Sequence, residues 1–150
     1  MAHGFDLNAF LPFRLNRLAA EISVRLASLY SERFGLDIPQ WRVLATLAAG
    51  SCTAQDIVAS TRTHKSTISR AVQQLEDRAL IERDVSGHDK RALVLRLTTA
   101  GRKLFRQIQP VVLSYEQELL SRIPTTGARG LLDGVAALEA ALGLSNGKQS

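Results

Sequence analysis

Apolar residues recur along most of this chain at the three- and four-residue steps of a helix. From Leu7 to Phe34 they fall at Leu11, Leu15, Leu18, Ile22, Leu26 and Leu29. That spacing predicts one long amphipathic helix, with Pro12 tolerated near its first turn and Gly35 as its C-terminal cap. A second helix is predicted from Pro39, a favoured first helical position, with Trp41, Leu44 and Leu47 turned inward and Gly50 as its stop. Thr53 and Asp56 have the spacing of a reciprocal capping box and predict a short third helix, Ile57 and Val58 facing in. A fourth, capped by Thr63, gathers Ile68, Val72, Leu75 and Ala79 on one face.

After Leu80 and Ile81 the period shortens. Leu93, Leu95 and Leu97 alternate with Val94 and Arg96, the signature of a half-buried strand. Its antiparallel partner is Ile81–Val85, and residues 86–91 form the connecting tip. Thr98 then caps a fifth helix running through Leu119, with Leu104, Ile108, Val112, Tyr115 and Leu119 on one face and a kink expected at Pro110. Beyond Pro124 a last helix carries Leu131, Leu132, Val135, Leu138 and Leu142, and residues 143–150 are expected to be disordered. The first and last helices offer apolar faces without an evident core of their own, which predicts pairing with a second subunit.

The other face of the fourth helix holds the candidate chemistry. Ser66, Ser69, Arg70 and Gln73 recur at i, i+3, i+4 and i+7, with Lys65 flanking the first turn. Small hydroxyls, an amide and long cations suit a surface lying against phosphates and base edges. No acid occurs between Asp56 and Glu76 to repel a polyanion. The pattern is that of a DNA recognition helix. Charge agrees: the chain carries a formal +5, and Thr53 to Arg106 holds 11 Lys and Arg against 6 Asp and Glu, so the whole excess lies there. A hairpin with Lys90 and Arg91 at its tip, following such a helix, has the form of a wing.

At 150 residues the chain has room for one domain, and its 45% hydrophobic content supports a packed core. No apolar run approaches the ~18 residues of a membrane span. Residues 1–6 lack a basic region followed by an apolar core, so no signal peptide is expected, and the single cysteine allows no internal disulfide. These features point to the cytoplasm. Cys52 reads as an inert thiol, and His3, His64 and His88 are scattered without metal-ligand spacing, so neither a metal nor a cofactor is expected. His64 fits a helix start or a phosphate contact, and His88 the wing tip. There is no phosphate loop, nucleophile elbow or Cys–His motif, so an enzyme is not expected.

Taken together, residues 38–44 (Ile-Pro-Gln-Trp-Arg-Val-Leu), Lys65 to Glu76, Leu80-Ile81, Asp89-Lys90-Arg91 and Leu97-Thr98-Thr99-Ala100-Gly101 resemble the multiple antibiotic resistance regulator (MarR) family of bacterial transcription factors. The resemblance covers nearly the whole chain. It implies a mainly α fold with a small β-hairpin: a winged helix-turn-helix over residues 36–98, with dimerisation helices at 7–34 and 99–142, in a single domain of residues 1–150. It further implies a homodimer on a roughly palindromic operator of double-stranded DNA. Release by a small, often aromatic effector would make it a repressor. Base and phosphate contacts would fall on Thr63, His64, Lys65, Ser66, Thr67, Ser69, Arg70 and Gln73. The family's Asp-x-Arg wing motif falls on Asp89 and Arg91, beside Lys90. The arginine would enter the minor groove and the aspartate would hold it, which suits a planar guanidinium. Peroxide-sensing relatives carry a cysteine near the start of the chain, where this one has none; Cys52 lies between the second and third helices. Arg14, Arg17 and Arg42 could meet an anionic aromatic ligand or form surface salt bridges. The alternative function is a winged-helix adaptor that binds protein and has no specific DNA target.

Overall fold

The computed structural model describes residues 4–84 and 93–144. Leu7–Ala9 makes one 3-10 turn capped by Asp6, and α1 then runs Leu11–Phe34. The helix expected in one piece from Leu7 is therefore broken at Phe10. Pro12 has no N–H to donate to the carbonyl of Asn8, so the α-helical ladder cannot extend back across that point. Gly35 ends α1 as expected, at φ 64°, a left-handed conformation without steric cost for glycine.

Helix α2, Ile38–Ala49, opens with a capping box between Asp37 and Gln40, one residue before Pro39. A two-residue strand β1, Cys52–Thr53, leads into α3, Ala54–Thr61. There the expected box is in place: Asp56 Oδ2 accepts from the Thr53 N–H at 2.9 Å, and Thr53 Oγ1 accepts from the Asp56 N–H at 3.1 Å. Arg62, at φ 53°, turns the chain into α4, Lys65–Asp77. Strands β2, Ile81–Asp84, and β3, Val94–Leu97, then pair antiparallel from Ile81↔Leu97 to Asp84↔Val94. The sheet has a third member, because β1 pairs with the free edge of β3, Cys52 opposite Leu95. Helices α5, Thr99–Ser121, and α6, Thr125–Ala141, complete the chain, α5 continuing through Pro110.

The fold is thus mainly helical, with a winged helix-turn-helix formed by α2, α3, α4 and the hairpin. Two compact units divide after Val112. The first holds the core: Tyr30 of α1, Leu36 in the connection after it, Val43, Leu44 and Leu47 of α2, Ile57 of α3, Ile68, Ala71, Val72 and Leu75 of α4, and Leu95 and Leu97 of β3. Each large side chain taken fully out of water there contributes about 1.5–3 kcal/mol. Tyr30, Trp41 and Phe105 stack in series, with centroids 5.4 and 5.8 Å apart, which ties α1, α2 and α5 together. Ala79 does not continue the buried face of α4. The helix ends at Asp77, and Ala79 is exposed at φ 54°, where its N–H reaches the Glu76 carbonyl at 2.8 Å.

At Gly101, α5 comes close against the backbone of Leu80, just before β2. A Cβ there would lie 2.0 Å from the Leu80 carbonyl oxygen. Thr98 secures the same corner, donating its hydroxyl to the Ala79 carbonyl at 2.7 Å and accepting the Gly101 N–H at 3.0 Å. The second unit contains the end of α5 and α6. On α6 the residues Leu131, Leu132, Val135 and Leu138 are between 40% and 52% exposed, and no described residue of the helix is buried.

Candidate nucleic-acid interface

Helix α4 is the most amphipathic element in the chain by residue placement. Ile68, Ala71, Val72 and Leu75 are buried, while Lys65, Ser66, Ser69, Arg70 and Gln73 are exposed on the opposite side. Burial of the first set turns the second outward, so the elements packed against α4 aim its polar face. Several polar contacts hold it there. Gln40, itself buried, donates from Nε2 to Gln74 Oε1 at 2.9 Å, and Arg42 donates from Nη1 to Thr63 Oγ1 at 3.1 Å. At the far end, Arg78 donates to the carbonyls of Phe34 and Gly35 at 3.1 and 3.0 Å. It caps the C-terminal carbonyls of α1 from the end of α4.

The expected cap on Thr63 is displaced by one residue. Thr63 Oγ1 already accepts from Arg42, and His64 caps α4 instead, its Nδ1 accepting the Ser66 N–H at 3.2 Å. Thr63 and Thr67 are half-buried and flank the face without standing on it. Gln73 Nε2 donates to Asp77 Oδ1 at 2.9 Å. Among the described residues, Lys65 and Arg70 have no ion-pair or hydrogen-bond partner through their side chains. Asp89, Lys90 and Arg91 lie outside the described residues.

Two residues that pattern reading passed over also line this side. A cleft of about 500 Å³ between α4, the start of α3 and the sheet has Lys65, Ser69, Gln55 and Arg83 on its walls, over Val58, Ile68 and Val72. Arg83 Nε lies 2.5 Å from Glu76 Oε1. The other charged wing-strand residues stay on the sheet: Arg96 meets Glu82 at 2.9 Å and Asp84 at 3.7 Å. Both residues are plain in the sequence, but only the hairpin register brings the strand arginine to the carboxylate in the last turn of α4.

The remaining candidates do not form a second centre. Arg14 and Arg17 line a groove along α1 with Leu11, Leu15 and Leu18, whereas Arg42 is engaged at Thr63. Burial pushes the Tyr30 phenol up to about 12, with the Arg42 guanidinium pulling the other way. Cys52 is half-buried, and burial together with the Asp56 carboxylate raises its thiol pKa, which suppresses the reactive thiolate. Among the described residues no group of His, Cys, Asp and Glu could hold a metal, and no helix is long and apolar enough to cross a membrane.

Among known proteins, residues 34–92 match the model of the MarR family. A Bacillus subtilis (strain 168) protein described as the uncharacterised HTH-type transcriptional regulator YwoH is 30% identical over 116 residues, spanning 77% of this chain and 83% of that relative. The crystal structure of a MarR/EmrR family transcriptional regulator from Acinetobacter sp. ADP1 superposes with a TM-score of 0.80 at 23% identity, over 92% of this chain and 98% of that one. CouR from Rhodococcus jostii RHA1, solved bound to p-coumaroyl-CoA, superposes with a TM-score of 0.73 at 20% identity, over 89% of this chain and 94% of that one.

Proposed function

The chain belongs to the MarR family of transcriptional regulators, and from that premise we propose that it binds a roughly palindromic operator as a homodimer and represses transcription until a small effector releases it. Regulators of this family bind DNA, act as dimers and bind small-molecule ligands; they are not enzymes. One observation carries the specific reading: α4 buries one face and leaves Lys65, Ser66, Ser69 and Arg70 exposed, in a stretch with no acid between Asp56 and Glu76. Such a face fits the major groove, where hydroxyls and guanidinium reach base edges and Lys65 meets phosphate. His64, exposed at the start of α4, is a further candidate phosphate contact. Asp89, Lys90 and Arg91 would follow the adjacent minor groove.

Dimerisation rests on exposed apolar faces. Leu11, Leu15 and Leu18 on α1 are between 42% and 52% exposed, and α6 has no buried residue. A helix with no buried apolar stripe gains little stability from its own sequence, so a second copy is the natural cover. The effector class we favour is an aromatic acid or its thioester, supported by the p-coumaroyl-CoA bound to CouR. The reading places the protein in the cytoplasm, with its DNA.

The test is fluorescence anisotropy with duplex DNA from upstream of the protein's own gene, against random duplex, at several salt concentrations. Tight binding to the upstream duplex that weakens steeply with salt, and is lost on adding an aromatic acid or thioester, is expected. Arg70→Ala should cost ~1–3 kcal/mol on the specific site and relax the base preference at one position per half-site. No preference for upstream over random DNA would leave the adaptor reading in its place.

A further inference from the structure

Glu76 is oddly placed for a DNA-binding helix. It is the first acid after the run from residue 57 to residue 75, so it would repel the phosphates that run attracts. It also stands in the last turn of α4, where the helix dipole disfavours a carboxylate. Its side chain is nevertheless only 21% exposed, because Arg83 holds it. The grip is specific in its atoms: Arg83 spends Nε on Glu76 Oε1. Among the described residues, neither terminal nitrogen of that guanidinium has a partner. Arg83 reaches this position from β2, where it shares a sheet face with buried Ile81 and pairs with buried Leu95, and it lines the cleft with that leucine.

The cleft has a natural occupant if α4 lies in a major groove and the hairpin in the neighbouring minor groove. One phosphodiester strand separates those two grooves and must pass between the two elements. The walls offered to it are Lys65, Ser69, Gln55 and the unspent end of Arg83. We propose that Arg83 is a phosphate-contacting residue in this cleft, and that Glu76 is the positioning residue that aims its guanidinium at the DNA backbone. A planar fork can do both at once, one edge to a carboxylate and the other to a phosphate. A lysine offers one point-like ammonium without a second planar edge, so it serves the two acceptors with poorer geometry.

This inference rests on the DNA-binding reading, and its test separates the two. Binding of the full-length protein to upstream and random duplexes is followed by anisotropy across a salt series, with circular dichroism confirming that each variant is folded. Arg83→Gln should lose about tenfold or more in affinity, as expected for a hydrogen bond to a charged group. The loss should be equal on both duplexes, and the log–log salt slope should fall by about 0.9 for each phosphate contact removed. Arg83→Lys should keep the slope and lose part of the affinity. Arg96→Gln, on the opposite sheet face, should leave the slope unchanged. Glu76→Gln removes a negative charge near DNA, which alone would tighten binding. In the wild-type background it should weaken binding, and in the Arg83→Gln background it should tighten it. Wild-type affinity and slope in a folded Arg83→Gln, or tighter binding by Glu76→Gln in both backgrounds, overturns the proposal. A wild-type protein without salt-dependent DNA binding overturns the parent reading instead.

Discussion

Gly101→Ala tests how the DNA-binding corner is built, because two well-characterised effects predict opposite signs. Gly101 lies in the first turn of α5, where alanine would be favoured by about 1 kcal/mol on helix propensity alone. The added methyl, however, would sit 2.0 Å from the Leu80 carbonyl oxygen and 3.0 Å from its carbon. Both are backbone atoms, and relief requires α5 and the hairpin to separate by about 1 Å. The Leu80 carbonyl also accepts the Thr98 N–H at 3.1 Å, so the shift strains that bond. Overpacking of this kind costs about 1–3 kcal/mol and a weakened buried hydrogen bond about 1 kcal/mol. The propensity gain offsets only part, leaving a net destabilisation of about 1–3 kcal/mol. Urea unfolding at equal protein concentration measures it, with Ala100→Gly as the control. Residue 100 is exposed one position earlier, and the control should lose about 1 kcal/mol by propensity alone. A Gly101→Ala protein more stable than wild type would show that the contact is not a constraint, and the steric argument would fail.

Three further outcomes follow from the same reasoning. Hydrogen bonds from the Thr53 backbone and hydroxyl hold the Asp56 carboxyl below its usual range. The stability this confers is present above the unfolded carboxylate pKa and disappears as pH falls through the lower folded value. Wild type should therefore lose more stability than Asp56→Asn between about pH 5 and pH 2, and Thr53→Ala should cost about 1 kcal/mol at neutral pH by denaturant melts. In the wing, Arg91→Ala should weaken operator binding and its salt dependence. Asp89→Ala should also weaken it despite removing a negative charge, with little added effect in the Arg91→Ala background; a double-mutant cycle giving additive losses, or tighter binding by Asp89→Ala, refutes the pairing. Finally, light scattering at micromolar concentration should find a dimer, and a stable folded monomer would contradict the role given to α1 and α6.

Much of this architecture was legible because it is written in short-range pattern. The buried stripe of α4, the Thr53–Asp56 box and the Gly35 cap each depend on residues within a turn or two of one another. What escaped depends on partners distant in sequence. Cys52 and Thr53 are too few to show an alternating period, and only the free edge of β3 makes them a strand. Thr63 is a better cap than His64 by residue type, but Arg42, 21 positions away, had already claimed its hydroxyl. Ala79 continues the helical period of α4 on paper, yet the chain must leave the helix there to start β2. Arg83 carries no periodic signal of its own, and only the hairpin register sets it against Glu76. Within the candidate interface, the pattern therefore located the face on α4 but not the contacts that aim it.

The stack of Tyr30, Trp41 and Phe105 has an experimental consequence. Trp41 is the only tryptophan in the chain. Its indole lies between rings carried by α1 and α5, at interplanar angles of 26° and 11°. The emission of one native fluorophore therefore reports on the mutual packing of three helices, with no label and no background from a second indole. A ligand that loosens α1 or α5 from α2 changes the polarity and quenching around that ring, and one that only occupies the DNA face does not. The molecule carries its own optical gauge for telling these two modes of ligand action apart.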